Sequence, residues 1–118
     1  MYKYYNANVK NNFINDCTIR AISLAEDLTW KQAQKKLSFL AGEMGLMLDD
    51  VNFIEDYLDK KYTRSCFDKT SVGEFVNKHK IGTYLITMPN HITVSINGTI
   101  FDTFDCSDRI MRCAWRVR

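Results

Sequence analysis

The sequence predicts a single α+β domain, and three observations carry that expectation. Apolar residues recur at helical spacing from Cys17 to about His79, and at Gly82 the period changes from 3.6 to 2. Helical stretches come first and strand stretches after, which is the order of an α+β architecture rather than of alternating βα units. The chain has 118 residues, is 46% hydrophobic and 13% aromatic, and contains one proline, so it can bury one core but not two. Residues 1–118 therefore read as one domain.

Residues 1–12 are polar and Asn-rich and read as irregular, with Tyr2, Tyr4 and Tyr5 available to pack down. The character changes at Asn15-Asp16-Cys17. The residues Cys17, Ile19, Ala21, Ile22, Leu24 and Ala25 are apolar on more than one stripe, the pattern of a buried helix. Asp16 or Asn15 would cap it, which places Cys17 in the first turn. Thr29 with Gln32 fits a capping box and opens a second helix to about Leu40, with Gly42 and Gly45 expected to break it. Asp49 or Asp50 caps a third helix carrying Val51, Ile54, Tyr57 and Leu58, and Ser71 with Glu74 caps a short fourth one ending near His79. His79, between Lys78 and Lys80, reads as a solvated charge at that helix's C-terminus.

Beyond Gly82 the strands follow. Thr83 to Met88 is one, Pro89-Asn90 a turn, and His91 to Asp105 a hairpin around Asn97-Gly98, the dipeptide that most strongly signals a two-residue type I′ turn. In that turn opposed residues have numbers summing to 195. One face then carries His91, Thr93, Ser95, Ile100, Asp102 and Phe104. The other, expected as the core face, carries Ile92, Val94, Ile96, Thr99, Phe101 and Thr103. Parity selects Asp102, and not Asp105, as the carboxylate near His91; a bulge at the turn would reverse the choice. Met111 to Val117 reads as a last strand with Cys113 and Trp115 on one face, completing a sheet of about four antiparallel strands.

Net charge is +2, and the basic residues are scattered, so nucleic-acid binding has little support. No apolar run is long enough to span a membrane and the first residues contain no signal-peptide core, which points to a cytoplasmic protein with neither nucleic-acid nor membrane partners. The four cysteines and two histidines make no zinc-ligand spacing, so no metal and no organic cofactor is expected. Cys66, Cys106 and Cys113 read as reduced, small apolar core residues. Trp30 and Trp115 read as core or cleft-wall residues.

Cys17 differs from the other cysteines because it opens a helix, where unpaired N–H groups and the positive dipole end favour a thiolate. With a histidine at the start of one strand and a carboxylate on the next, it forms an ordered set of nucleophile, base and orienter. Here the chain resembles the papain-like cysteine peptidases, and among them compact phage and bacterial members related to the bacteriocin-processing, C39-like peptidases. The residues that carry the resemblance are Asn15-Asp16-Cys17 with the apolar helix after it, and His91-Ile92-Thr93-Val94 leading into Asp102. It implies a Cys-bearing helix packed on an antiparallel sheet, and a Cys17–His91–Asp102 triad that hydrolyses a peptide, amide or isopeptide bond in a protein or peptide substrate. It also implies an oxyanion-hole Gln six residues before the cysteine. That position is Asn11 here, with Asn12 beside it, and either could supply the shorter amide together with the Cys17 backbone N–H. The Gly that usually follows the cysteine is Thr18. An acyltransferase would use the same triad with a different acceptor. A papain-like scaffold that binds a host factor without catalysis, in a phage-encoded protein acting in the host cytoplasm, is the alternative from another class.

Overall fold

The computed structural model describes residues 1–8 and 16–118. Four helices and six strands follow one another as β1 (Tyr2–Tyr4), α1 (Cys17–Ala25), α2 (Trp30–Met44), α3 (Val51–Lys61), β2 (Arg64–Cys66), α4 (Val72–Lys78), β3 (Thr83–Met88), β4 (His91–Ile96), β5 (Thr99–Asp102) and β6 (Cys113–Arg116). The strands form one sheet in the order β1-β5-β4-β3-β6-β2. This is an α+β fold, but its sheet is larger than the sequence predicts and is mixed. Tyr2–Tyr4, read as irregular, pairs in parallel with β5, with Tyr4 opposite Asp102. Arg64–Cys66 adds an antiparallel edge to β6. Both additions are three-residue strands that pair far along the chain, so neither has a local hydrophobic period to betray it.

Where the sequence carries its own stop and start signals, the elements obey them. Thr29 and Ser71 each complete a capping box, with Gln32 and Glu74 respectively, and the Asp50 carboxylate accepts the Asn52 N–H at the start of α3. Helix α2 runs through Gly42 and ends only at Gly45, whose φ of 69° is the left-handed conformation that closes a helix without a Cβ clash. The β4–β5 hairpin turns on Asn97 and Gly98, both at positive φ (49° and 82°), and pairs Ile96 with Thr99, Ser95 with Ile100 and Val94 with Phe101. Every pair sums to 195, so the turn holds two residues and no bulge.

Both faces of the sheet are buried, which corrects the expectation of one core face. On one side α1, α2 and α3 lay Ile19, Ile22, Leu37, Phe53 and Leu58 over Leu85, Val94 and Trp115. On the other, α4 and the chain between β5 and β6 lay Val72, Phe75, Cys106 and Met111 over Tyr84, Ile86 and Ile100. His79 belongs to this second layer. Its ring stacks on Phe75 at a centroid distance of 4.1 Å and its Nδ1 lies 2.8 Å from the Phe75 carbonyl, so it is packed rather than solvated.

Two further ties act within the sheet and within the first helical layer. Cys66 and Cys113, expected to be separate reduced residues, are directly opposed in the β2–β6 pairing and form a disulfide with an S–S distance of 2.10 Å. The second tie is the Glu26 carboxylate at the C-terminal end of α1. It accepts hydrogen bonds from Lys36 Nζ (3.1 Å) and the Tyr57 hydroxyl (2.8 Å) on one oxygen, and from Lys61 Nζ (2.9 Å) and the Tyr62 hydroxyl (2.7 Å) on the other. One side chain thus joins α1 to α2 and α3. Among the described residues, no helix is long and apolar enough to cross a membrane.

Candidate active site

Helix α1 begins at Cys17, and the residue before it does not cap it in the ordinary way. Asp16 makes no side-chain capping bond. Its buried carboxylate instead accepts from the Arg20 guanidinium, one turn into the helix, and from Trp30 Nε1 at 2.7 Å. The positive end of the helix is therefore left to Cys17 and to whatever approaches it. Strand β4 brings His91 to the same end, where it lines one cavity with Cys17 and acts on the thiol electrostatically.

The hairpin supplies the third group. His91 Nε2 donates to Asp102 Oδ2 at 2.7 Å, with side chains only 7% and 4% exposed. With Nε2 committed to the carboxylate, Nδ1 is the nitrogen left for the thiol. The other Asp102 oxygen accepts the Thr103 N–H at 2.7 Å. Phe104 lies against the imidazole at a centroid distance of 4.8 Å and helps to keep water from it. Asp105, the rival carboxylate, is exposed and turns back to its own loop, accepting from the Ser107 N–H (3.0 Å) and hydroxyl (2.6 Å). The structure thus brings Cys17, His91 and Asp102 together and leaves Asp105 outside. Asn11 and Asn12, the expected oxyanion donors, lie outside the described residues, as does Asn15.

Electrostatics follow from this geometry. Burial acts to raise the Cys17 thiol, but the hydrogen bond and positive charge of His91, with a backbone contact from Ile92, outweigh it and hold the thiol below its ordinary value. For His91, burial disfavours the imidazolium, and the hydrogen bonds and charges of Asp102 and Cys17 overcome it, pushing the group up to about 9. Burial also acts to raise Asp102, and its bond to His91 holds the carboxyl below its usual range. The Cys17 and His91 shifts run in opposite directions because each group favours the charged form of the other.

A fourth charged residue went unread in the sequence. Arg20 Nη2 lies 3.9 Å from Asp102 Oδ1 while the guanidinium also pairs with Asp16, so it links the helix that carries the thiol to the strand that carries the carboxylate. The i,i+4 spacing of Asp16 and Arg20 was the available signal. Behind the triad, donor atoms of His91, Asp102 and Cys106 lie within 4.8 Å of one another, a possible metal-ligand set among the described residues. The Cys106 thiol, buried and facing the Asp102 charge, is pushed up to about 11, and His91 Nε2 is already engaged, so neither is a ready donor at neutral pH.

Cys17 and Thr18 lie between two cavities. One, of about 400 Å³, extends toward α2 and the chain after it. The other, of about 430 Å³, is lined by Thr87, Pro89, Asn90, His91 and Arg112. Both have the size of small-ligand or substrate-side-chain pockets. No protein-family model matches the chain, and no curated protein or solved structure matches it either.

Proposed function

We propose that the protein is a papain-like thiol hydrolase acting on a peptide, amide or isopeptide bond. The observation that carries this reading is the grouping, at the start of a buried helix, of Cys17 with the hydrogen-bonded His91–Asp102 pair, Cys17 and His91 lining one cavity. The Cys17 thiolate attacks the substrate carbonyl carbon, forming a C–S bond. The oxyanion that develops is met by the Cys17 backbone N–H. Collapse breaks the C–N bond as the His91 imidazolium gives its proton to the leaving nitrogen. Water then attacks the thioester, His91 takes its proton, and the acid and the thiolate are released. Asp102 stays ionised throughout and holds the ring in the orientation that alternately gives and takes that proton.

Iodoacetamide tests the nucleophile directly. Only Cys17 and Cys106 are free thiols, and their environments drive them in opposite directions. At mildly acidic pH Cys17 is expected to be alkylated at least 100-fold faster than Cys106 in the native protein, read by peptide mass spectrometry. Equally slow labelling of both would remove the activated thiol and the reading with it. The upper limb of a kcat/KM–pH profile is set by His91. Its acid form persists up to about 9 in the free protein, so kcat/KM is expected to hold through neutrality and to fall only as the pH rises through that value.

The orienter is separable from its neighbour by substitution. Asp102→Asn is expected to keep the fold but to lower the melting temperature, because it removes a buried charge paired with His91 and near Arg20. It is also expected to lower turnover, by less than the factor on the order of 10⁴ found in a serine triad, because an amide still accepts one hydrogen bond from the ring. Asp105→Asn, outside the cleft, is expected to be neutral for turnover. The reverse pattern would contradict the assignment of Asp102.

A further inference from the structure

The cavity toward α2 differs in character from its neighbour. Ile19, Ala41, Leu46, Met47 and Leu48 supply apolar walls, and Gly42 lines it from within α2. Met47 is 73% exposed, a large apolar side chain left in water next to the candidate nucleophile. Gly42 is the more informative residue. A glycine inside a helix is less favourable than alanine, and sequence alone reads it as a helix breaker. Yet α2 passes through it, its φ is not positive, and a Cβ there would meet nothing within 4 Å. Neither the backbone nor crowding asks for glycine at this point. Gly42 is exposed at the edge of the cavity, so the missing side chain leaves that edge clear.

We propose that this cavity receives a bulky apolar side chain, of leucine or phenylalanine size, from the substrate residue beside the carbonyl that Cys17 attacks, and that Gly42, at its rim, keeps the mouth clear. The inference rests on the thiol-hydrolase reading and adds the substrate class to it. Cys17 lines the same cavity, so a side chain seated against Leu46 and Met47 holds its own carbonyl next to the sulfur. An apolar pocket of this kind discriminates by contact area, and differences of about 10- to 100-fold are within its reach.

The test uses N-acetyl aminoacyl chloromethyl ketones that differ only in side chain (Gly, Leu, Phe or Asp), with Cys17 alkylation followed by mass spectrometry. Rates are expressed relative to iodoacetamide in the same protein. The Leu and Phe ketones are expected to saturate and to label Cys17 about 10- to 100-fold faster than the Gly and Asp ketones. Gly42→Leu, which places a branched side chain at the cavity's mouth, is expected to bring the Leu and Phe rates down toward that of Gly. Met47→Ser alters an exposed side chain, is safe for folding, and is expected to cut the preference several-fold, so it decides the matter if Gly42→Leu does not fold. Equal relative rates across the series, with iodoacetamide still fast at Cys17, would overturn the pocket and leave the hydrolase reading standing. Slow reaction with every reagent, iodoacetamide included, would overturn both.

Discussion

Cys17→Ala is expected to abolish turnover while leaving the fold intact, and to change the titration of His91 at the same time. In a serine triad, removing the nucleophile alone costs a factor on the order of 10⁶ in turnover, and no residue near Cys17 can replace it: Thr18 bears an unactivated hydroxyl and Cys106 is a buried, protonated thiol behind Asp102. The second effect is the more diagnostic. His91 stands at about 9 because two negative groups, Asp102 and Cys17, hold its proton against burial. Removing the sulfur leaves one of them, so the imidazolium must titrate at a lower pH, which an NMR titration of the ring reads directly. The half-buried position of Cys17 makes the stability change small. A variant that keeps turnover, with His91 titrating as before, would show that the thiol is no part of the site.

The second large effect lies away from the chemistry. Glu26→Gln is expected to destabilise the protein by about 2 kcal/mol at neutral pH, with a fall of roughly 5–10 °C in melting temperature. Burial acts to raise the carboxyl, but four donors, Lys61 foremost, bring it from 4.5 down to about 2. Linkage at 1.36 kcal/mol per unit sets a ceiling of about 3 kcal/mol. The partly exposed lysine partners lose some of their attraction to solvent screening, which lowers the figure. The sign follows from the direction of the shift. A carboxyl held below its unfolded value stabilises fully above about 4.5, and the contribution is lost as pH falls through about 2. The wild-type protein should therefore lose stability across that window faster than Glu26→Gln, and the two melting curves should converge at its acid end. Parallel losses at all pH values would mean that Glu26 is held by packing and not by its charge.

Sequence and structure agree most closely where one short signal determines many positions. Asn97-Gly98 does so: two residues that tolerate positive φ set the parity of both strands, and parity alone puts Asp102 beside His91 and sends Asp105 elsewhere. The Thr29 and Ser71 capping boxes work the same way for helix starts. What escaped the sequence depends on partners far along the chain. Tyr2–Tyr4 is a strand only because β5 offers an edge to it, and Cys66 meets Cys113 only because β2 and β6 are in register. Gly42 was misread because local propensity speaks of the helix and not of the cavity beside it. Arg20 was missed because its importance comes from Asp102, 82 residues later.

The order of these residues along the chain has a consequence for how the protein is made. The thiol is encoded in the first helix, whereas the base and the orienter come 74 and 85 residues later, on the hairpin. At roughly 5–20 residues per second, a ribosome spends about 4 to 15 s between adding Cys17 and adding His91. Through that interval the emerging thiol has neither the histidine that draws off its proton nor the strands that shape its cavities. β1 has no β5 to pair with either, so the N-terminal strand and the candidate site wait on the same hairpin. A nascent or truncated chain therefore lacks the histidine and the carboxylate beside Cys17, and the candidate site is assembled only with a complete sheet.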